Sequence, residues 1–167
     1  MNRSRQKGNG TLGIQLRAWG APKAAQREKI FDQYAALTYR MDRDKPRILV
    51  ITSRGTGRWI LPKGWPMKSL PPAEAALREA YEEAGVTGQV ATTPIGCFPY
   101  DKVLDDGAVI PCLCHVFAVR LDHLETEYPE AGQRRRKWVS RKKAARLVDE
   151  PELARILLAF DPETLVF

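Results

Sequence analysis

The residues best suited to chemistry lie in REAYEEAG, residues 78–85, where Glu79, Glu82 and Glu83 recur at helical spacing. Residues three and four apart share a helix face. Three carboxylates on one stripe repel one another, which raises their pKa values and destabilises the helix unless a partner compensates. The simplest partner is a divalent cation that prefers oxygen ligands, Mg²⁺ or Mn²⁺. Such an ion neutralises oxyanions and activates water, so the stripe points to a catalytic metal site.

A helix must carry that stripe, and the flanking residues define one. Pro71 and Pro72 suit a first turn, where a missing N–H costs little. Gly85 stands where a helix stop is expected. Ala73, Leu77, Ala80, Tyr81 and Ala84 make the packing face, with the carboxylates and Arg78 on the other side. Before the helix, strands are expected at residues 35–40, 47–52 and 59–61, with a turn at 42–46 and a polar loop at 53–57. RILVIT, residues 47–52, is a β-branched run of the kind that is buried. After the helix, strands are expected at 88–93, 95–100, 110–120 and 135–139. Asp105-Asp106-Gly107 has hairpin chemistry. Helices are expected at 142–148 and 151–159. Strands with helices at well-separated points imply an α/β fold, a mixed sheet sandwiched by helices.

The 167 residues fit one domain. The net charge of +7 is concentrated in residues 1–30, which hold seven Lys/Arg against one Glu. Residues 1–23 read as a basic, flexible arm, residues 24–36 as the place of a short helix, and 24–167 as the single domain. Nucleic acid is not the expected partner, because the basic excess belongs to the arm. Cys97, Cys112 and Cys114 lack disulfide or metal-ligand spacing and read as free thiols, the last two buried. His115 reads as structural and His123 as a surface residue. No apolar run reaches the roughly 18 residues of a membrane span, and no apolar secretory core follows the basic start, so a cytoplasmic protein is expected.

Residues 64–86, GWPMKSLPPAEAALREAYEEAGV, resemble the signature of the Nudix hydrolase superfamily, G-x5-E-x7-R-E-U-x-E-E-x-G-U, with U aliphatic. Arg78, Glu79, Glu82, Glu83 and Gly85 fall in place. TSRGTGRWILPKG, GQRRRKWVS and PELARILL resemble the diphosphoinositol-polyphosphate phosphohydrolase-like branch. The resemblance implies an α/β/α sandwich with a loop-helix-loop box and a metal-dependent pyrophosphohydrolase. Its substrate would be a small phosphorylated molecule: a nucleoside diphosphate derivative, a dinucleoside polyphosphate or a diphosphoinositol polyphosphate. A highly phosphorylated substrate is favoured here. Glu82 and Glu83 correspond to the main Mg²⁺ ligands. Glu79 corresponds to a further ligand or the group that activates water, and a backbone carbonyl at Lys63 or Gly64 to another ligand. One more acid from outside the box is expected among Asp101, Asp105, Asp106, Glu127 and Glu130.

One position departs from the signature: Leu70 stands where a glutamate would pair with Arg78. Glu74, four residues before Arg78, is expected to take its place, catalytic Arg78 being otherwise without a partner. Arg54, Arg58 and Lys63 flank the box and are expected to bind substrate phosphates. Arg134, Arg135, Arg136 and Lys137 read as solvated edge-strand charges, Trp59 as a packing residue, and Trp65 and Tyr100 as borders of the pocket. The resemblance also allows a homodimer. The competing readings are a non-catalytic nucleotide-binding regulatory domain and a nucleic-acid-associated protein acting through the arm.

Overall fold

A computed structural model describes residues 29–167. The arm expected over residues 1–23 lies outside them, as does the first part of the helix expected over 24–36. The described end of that stretch is not helical. Phe31–Asp42 form strand β1. Its first nine residues pair in parallel with a distant strand, Phe31 opposite Cys112 through Tyr39 opposite Arg120, and that pairing overrides any local helical pattern.

The remaining elements follow the expected order, except that a short strand, β4, stands where a loop is expected before the box helix. They are β2 (Lys45–Thr52), β3 (Trp59–Ile60), β4 (Lys63–Gly64), α1 (Pro72–Ala84), β5 (Val86–Val90), β6 (Gly96–Val103), β7 (Val109–Leu124), β8 (Arg136–Ser140), α2 (Arg141–Leu147) and α3 (Pro151–Ala159). All eight strands join one sheet, with β3-β2-β1-β7-β5 as its spine. The β1–β7 pair is parallel and the others are antiparallel, so the sheet is mixed. The β6–β7 hairpin turns at Leu104–Ala108. Asp106 accepts the Ala108 N–H at 2.9 Å, and Gly107 takes a positive φ of 82°.

Side-chain alternation splits the interior into two cores. Ala36, Leu49, Ile51, Phe117 and Val119 meet Ala73, Ala76, Ala80 and Ala84 of α1 on one face. Ala35, Leu37, Ile48, Val50, Cys114 and Val116 meet Ala144, Leu153, Leu157 and Phe160 on the other, beneath α2 and α3. The result is an α/β/α sandwich. The small residues of α1 let the helix lie close to the sheet, which brings its carboxylates to the backbone of β4.

The two ends of α1 differ. Its N-terminus begins at Pro72 with no side-chain cap. Its C-terminus stops at Gly85, whose φ of 69° is left-handed and whose N–H returns to Tyr81 O at 2.8 Å. A Cβ on Gly85 would stand 2.6 Å from the Tyr128 ring, so both backbone and space require glycine there.

Candidate active site

β4 pairs with the first half of β1, Gly64 opposite Tyr34 and Lys63 opposite Ala35. This short ladder sets the strand beside the middle of α1. Glu79 lies directly against Gly64: a Cβ built there would be 2.0 Å from Glu79 Oε1. One turn further on, Glu83 Oε2 accepts the Lys63 backbone N–H at 3.2 Å. Glycine in the box loop therefore leaves room for the close approach of a carboxylate.

Three charged groups complete the cluster. The Arg134 side chain is only 6% exposed. Its Nη2 donates to Glu83 Oε1 at 2.7 Å, its Nε to Glu130 Oε2 at 2.7 Å, and its Nη1 to Thr52 O at 3.2 Å. Glu130 is tied to the helix end, its N–H donating to Glu82 O at 3.0 Å. Arg54 reaches the rim, 3.7 Å from Glu130 Oε1. Of the five acids outside the box, the structure brings Glu130 to the cluster. Asp101, Asp105 and Asp106 lie on the exposed β6–β7 hairpin, and Glu127 is exposed.

The electrostatics follow from this crowding. Burial, together with the charges of Glu83, Glu82 and Glu130, pushes the Glu79 carboxyl up to about 7. Burial also raises Glu83, against the lowering effect of Arg134 and Lys63. Four carboxylates gathered at one helix edge form an all-oxygen donor set, the kind that suits a hard divalent cation. Among the described residues, no three of them stand close enough to share one ion, because Arg78 draws Glu82 and Arg134 holds Glu83. The donor set fits the ion in chemistry, and Glu79, Glu82, Glu83 and Glu130 are the side chains that would hold it once drawn together.

Several sequence expectations change here. Arg78 donates to Glu82 Oε1 at 2.7 Å, and Glu74 is not its partner. Both Glu74 and Glu82 lie four residues from Arg78, so helical spacing alone does not choose between them. Leu70, in place of the signature glutamate, lines a groove with Leu77, Tyr81, Val86 and Val90 and with the charged Glu74 and Arg78. The basic run 134–137 is a solvated edge only in part, since Arg135 and Lys137 are exposed but Arg134 and Arg136 are not. Arg136 donates to Ala84 O and Glu125 O at 2.8 Å each, on the same side as Arg134. Arg135 and Lys137 point the other way and cover the Trp59 ring. Arg134 and Arg136 are thus engaged, while Arg135 and Lys137 stay exposed on the other face.

The three expected phosphate contacts are spread out. Arg54 is at the rim of the carboxylates. Arg58 donates to Asp149 Oδ2 at 3.1 Å and Glu150 Oε1 at 3.4 Å. The Lys63 side chain leaves α1 altogether, its Nζ lying 5.2 Å from the centre of the Tyr100 ring. Burial lowers its pKa. Tyr100 in turn donates to Gln33, and Trp65 packs edge-on against Phe31. Cys112 and Cys114 are buried, and burial pushes the Cys114 thiol up to about 12, so it is no nucleophile. His115 bonds Asp32 at 2.9 Å.

Residues 32–160 match the NUDIX domain. The chain belongs to the Nudix family. Over 120 residues it is 29% identical to Nudix hydrolase 12, mitochondrial, of Arabidopsis thaliana, a match that covers 70% of this chain and 59% of that protein. Over 56 residues, 34% of either chain, it is 45% identical to diphosphoinositol polyphosphate phosphohydrolase 3-alpha of Homo sapiens. The C. elegans Ap4A hydrolase shares the fold with a TM-score of 0.56 at 19% identity, over 78% of this chain and 95% of that one. This Nudix chain thus spans under two thirds of the plant relative's length. No helix among its described residues is long and apolar enough to cross a membrane.

Proposed function

We propose that this Nudix domain is a metal-dependent hydrolase that cleaves the diphosphate linkage of a nucleoside diphosphate derivative or a dinucleoside polyphosphate. The observation that carries the reading is the Glu79 carboxylate pressed against the Gly64 backbone, with Glu82, Glu83 and Glu130 around it. A bound Mg²⁺ or Mn²⁺ would neutralise phosphate oxygens and lower the pKa of water. Glu82, Glu83 and Glu130 are the residues we assign to holding it. Glu79, nearest the loop backbone, is placed to hold an attacking water and take its proton. We assign Arg54, at the rim, to contact a phosphate oxygen; the Arg58 and Lys63 side chains lie on the other face of the sheet and are left out of that role.

The distribution of cations narrows the substrate. A diphosphoinositol polyphosphate presents many phosphates at once and needs several unpaired cations. Here Arg58, Arg78 and Arg134 are each engaged by carboxylates. Next to the carboxylates, among the described residues, a diphosphate joined to less charged groups suits this charge balance better. The likeness to the human phosphohydrolase spans a third of the chain and supports the hydrolase reading more than that particular substrate.

The test is product release from dinucleoside polyphosphates, nucleoside diphosphate sugars, nucleoside triphosphates and diphosphoinositol polyphosphates, with Mg²⁺ or Mn²⁺. Metal-dependent turnover lost in Glu82→Gln and Glu83→Gln is the expected result. Tight binding of one compound with no turnover of any would instead make this a sensor domain. Two further proposals concern its setting. Three free thiols, one of them exposed, suit a reducing compartment such as the cytoplasm. Exposed Val103 and Val109, paired at the β6–β7 hairpin, offer a small apolar patch for a homodimer, which light scattering would test.

A further inference from the structure

Arg134 lies outside the box, is almost fully buried, and has all three of its guanidinium nitrogens engaged. Two of its acceptors belong to its own side of the site. Glu130 is four residues away, and Thr52 is held by the backbone, its N–H donating to Arg135 O at 3.1 Å and its Oγ1 accepting the Arg135 N–H at 3.0 Å. The third acceptor, Glu83, belongs to α1 and to the carboxylate stripe. The guanidinium therefore has a fixed end and one arm reaching into the cluster. That arm supplies the positive charge the stripe requires, at the very carboxylate assigned to the metal.

We propose that Arg134 is a resident cation of the carboxylate cluster, and that metal loading is an exchange in which its Nη2 gives up Glu83 while Nε and Nη1 keep Glu130 and Thr52. The inference rests on the stripe being the metal site. Glu83 is suited to the exchange because its two oxygens have different partners. Oε2 stays on the Lys63 N–H, which keeps the carboxylate in position, while Oε1 changes partner. Glu82 is held in the same way by Arg78, but that pair is largely exposed and water can replace it at little cost. The Arg134–Glu83 pair is nearly buried, 6% and 11% exposed, so water replaces it at greater cost and its release sets how readily the ion enters. A residue in this role sets ion affinity without touching substrate, and it keeps four crowded carboxylates folded when no ion is present.

The experiment uses the full chain and Mn²⁺ alone, without substrate. Mn²⁺ affinity is read by electron paramagnetic resonance or calorimetry, and melting temperature is read with and without the ion. Arg134→Met removes the competing charge and keeps the side chain's bulk. It is expected to bind Mn²⁺ at least about tenfold more tightly than the native chain, and to gain more melting temperature from the ion. Repulsion between unit and divalent charges about 5 Å apart exceeds that factor even at the dielectric constant of water. Folding of Arg134→Met only when Mn²⁺ is present would be the same exchange seen as stability. Equal or weaker affinity in the variant would overturn the proposal, since Arg134 would then be indifferent to the ion or would help assemble its site. Should Arg134→Met fail to fold in either state, Arg134→Lys decides. It keeps the charge, so its affinity should stay within about threefold of native, and a larger change in either direction overturns the exchange. If the native chain itself binds no Mn²⁺, the metal-site reading falls as well.

Discussion

Gly64→Ala tests the site through its tightest contact. The added Cβ would stand 2.0 Å from Glu79 Oε1, 2.1 Å from its carboxyl carbon and 2.6 Å from Oε2. Ordinary contact between such atoms needs about 3.5 Å, so something must retreat by about 1.5 Å. The crowded atoms all belong to the end of a flexible side chain, while Gly64 is held in the β1–β4 ladder. Glu79 therefore yields and the backbone stays. Moving a side chain off its rotamer costs about 1 kcal/mol, so the fold should survive with a small loss of melting temperature. The chemistry should not survive so well. A displacement of about 1 Å in a reacting group costs about 10²-fold, which corresponds to about 2.7 kcal/mol of transition-state stabilisation. The assay is kcat/KM toward a dinucleoside polyphosphate, with calorimetric melting of the same preparation. A kcat/KM within threefold of native would refute the reasoning, because the position of Glu79 would then not matter to the reaction. A large fall in melting temperature would refute the other half, that the side chain and not the strand gives way.

Three further outcomes follow from the same geometry. Gly88→Ala should behave in the opposite way, losing about 1–3 kcal/mol of stability while activity per folded molecule is kept, because its Cβ would meet the Arg120 backbone carbonyl at 2.2 Å and a backbone atom cannot step aside; denaturant melts and specific activity check it. Glu79 should make the metal-free chain less stable as pH rises. An acid whose folded pKa of about 7 lies above its ordinary 4.5 holds its proton more tightly when folded, so its contribution is full below about 4.5 and is lost through about 7. Glu79→Gln should accordingly melt above the native chain at pH 8 in chelator, with the difference closing near pH 5. Arg54→Gln should raise KM severalfold with little change in kcat, because Arg54 sits at the exposed rim beside Glu130, and steady-state kinetics would show it.

What the sequence revealed and what it concealed divide along the range of the interactions involved. The box helix was legible almost to the residue, since Pro71, Pro72 and Gly85 act on their own backbone and the alanine stripe acts within one helix. RILVIT and the Asp106-Gly107 turn were legible for the same reason. The start of β1 was not, because Phe31 and Asp32 become strand only by pairing with Cys112 and Leu113, about 80 positions away. The acidic residue outside the box could not be chosen among five, since Glu130 is selected by the backbone tie from its N–H to Glu82 O and by the reach of Arg134. Arg134 itself was hidden behind its neighbours. In RRRK the alternation of a strand was visible, but the direction in which it pointed was not. That direction is fixed when β8 pairs with β2, Arg136 opposite Ile51 and Val139 opposite Ile48. A shift of one residue in that register would turn Arg134 and Arg136 outward and send Arg135 and Lys137 toward Glu83. The ladder between β2 and β8 is thus part of the site, since it decides which basic residue meets the carboxylates.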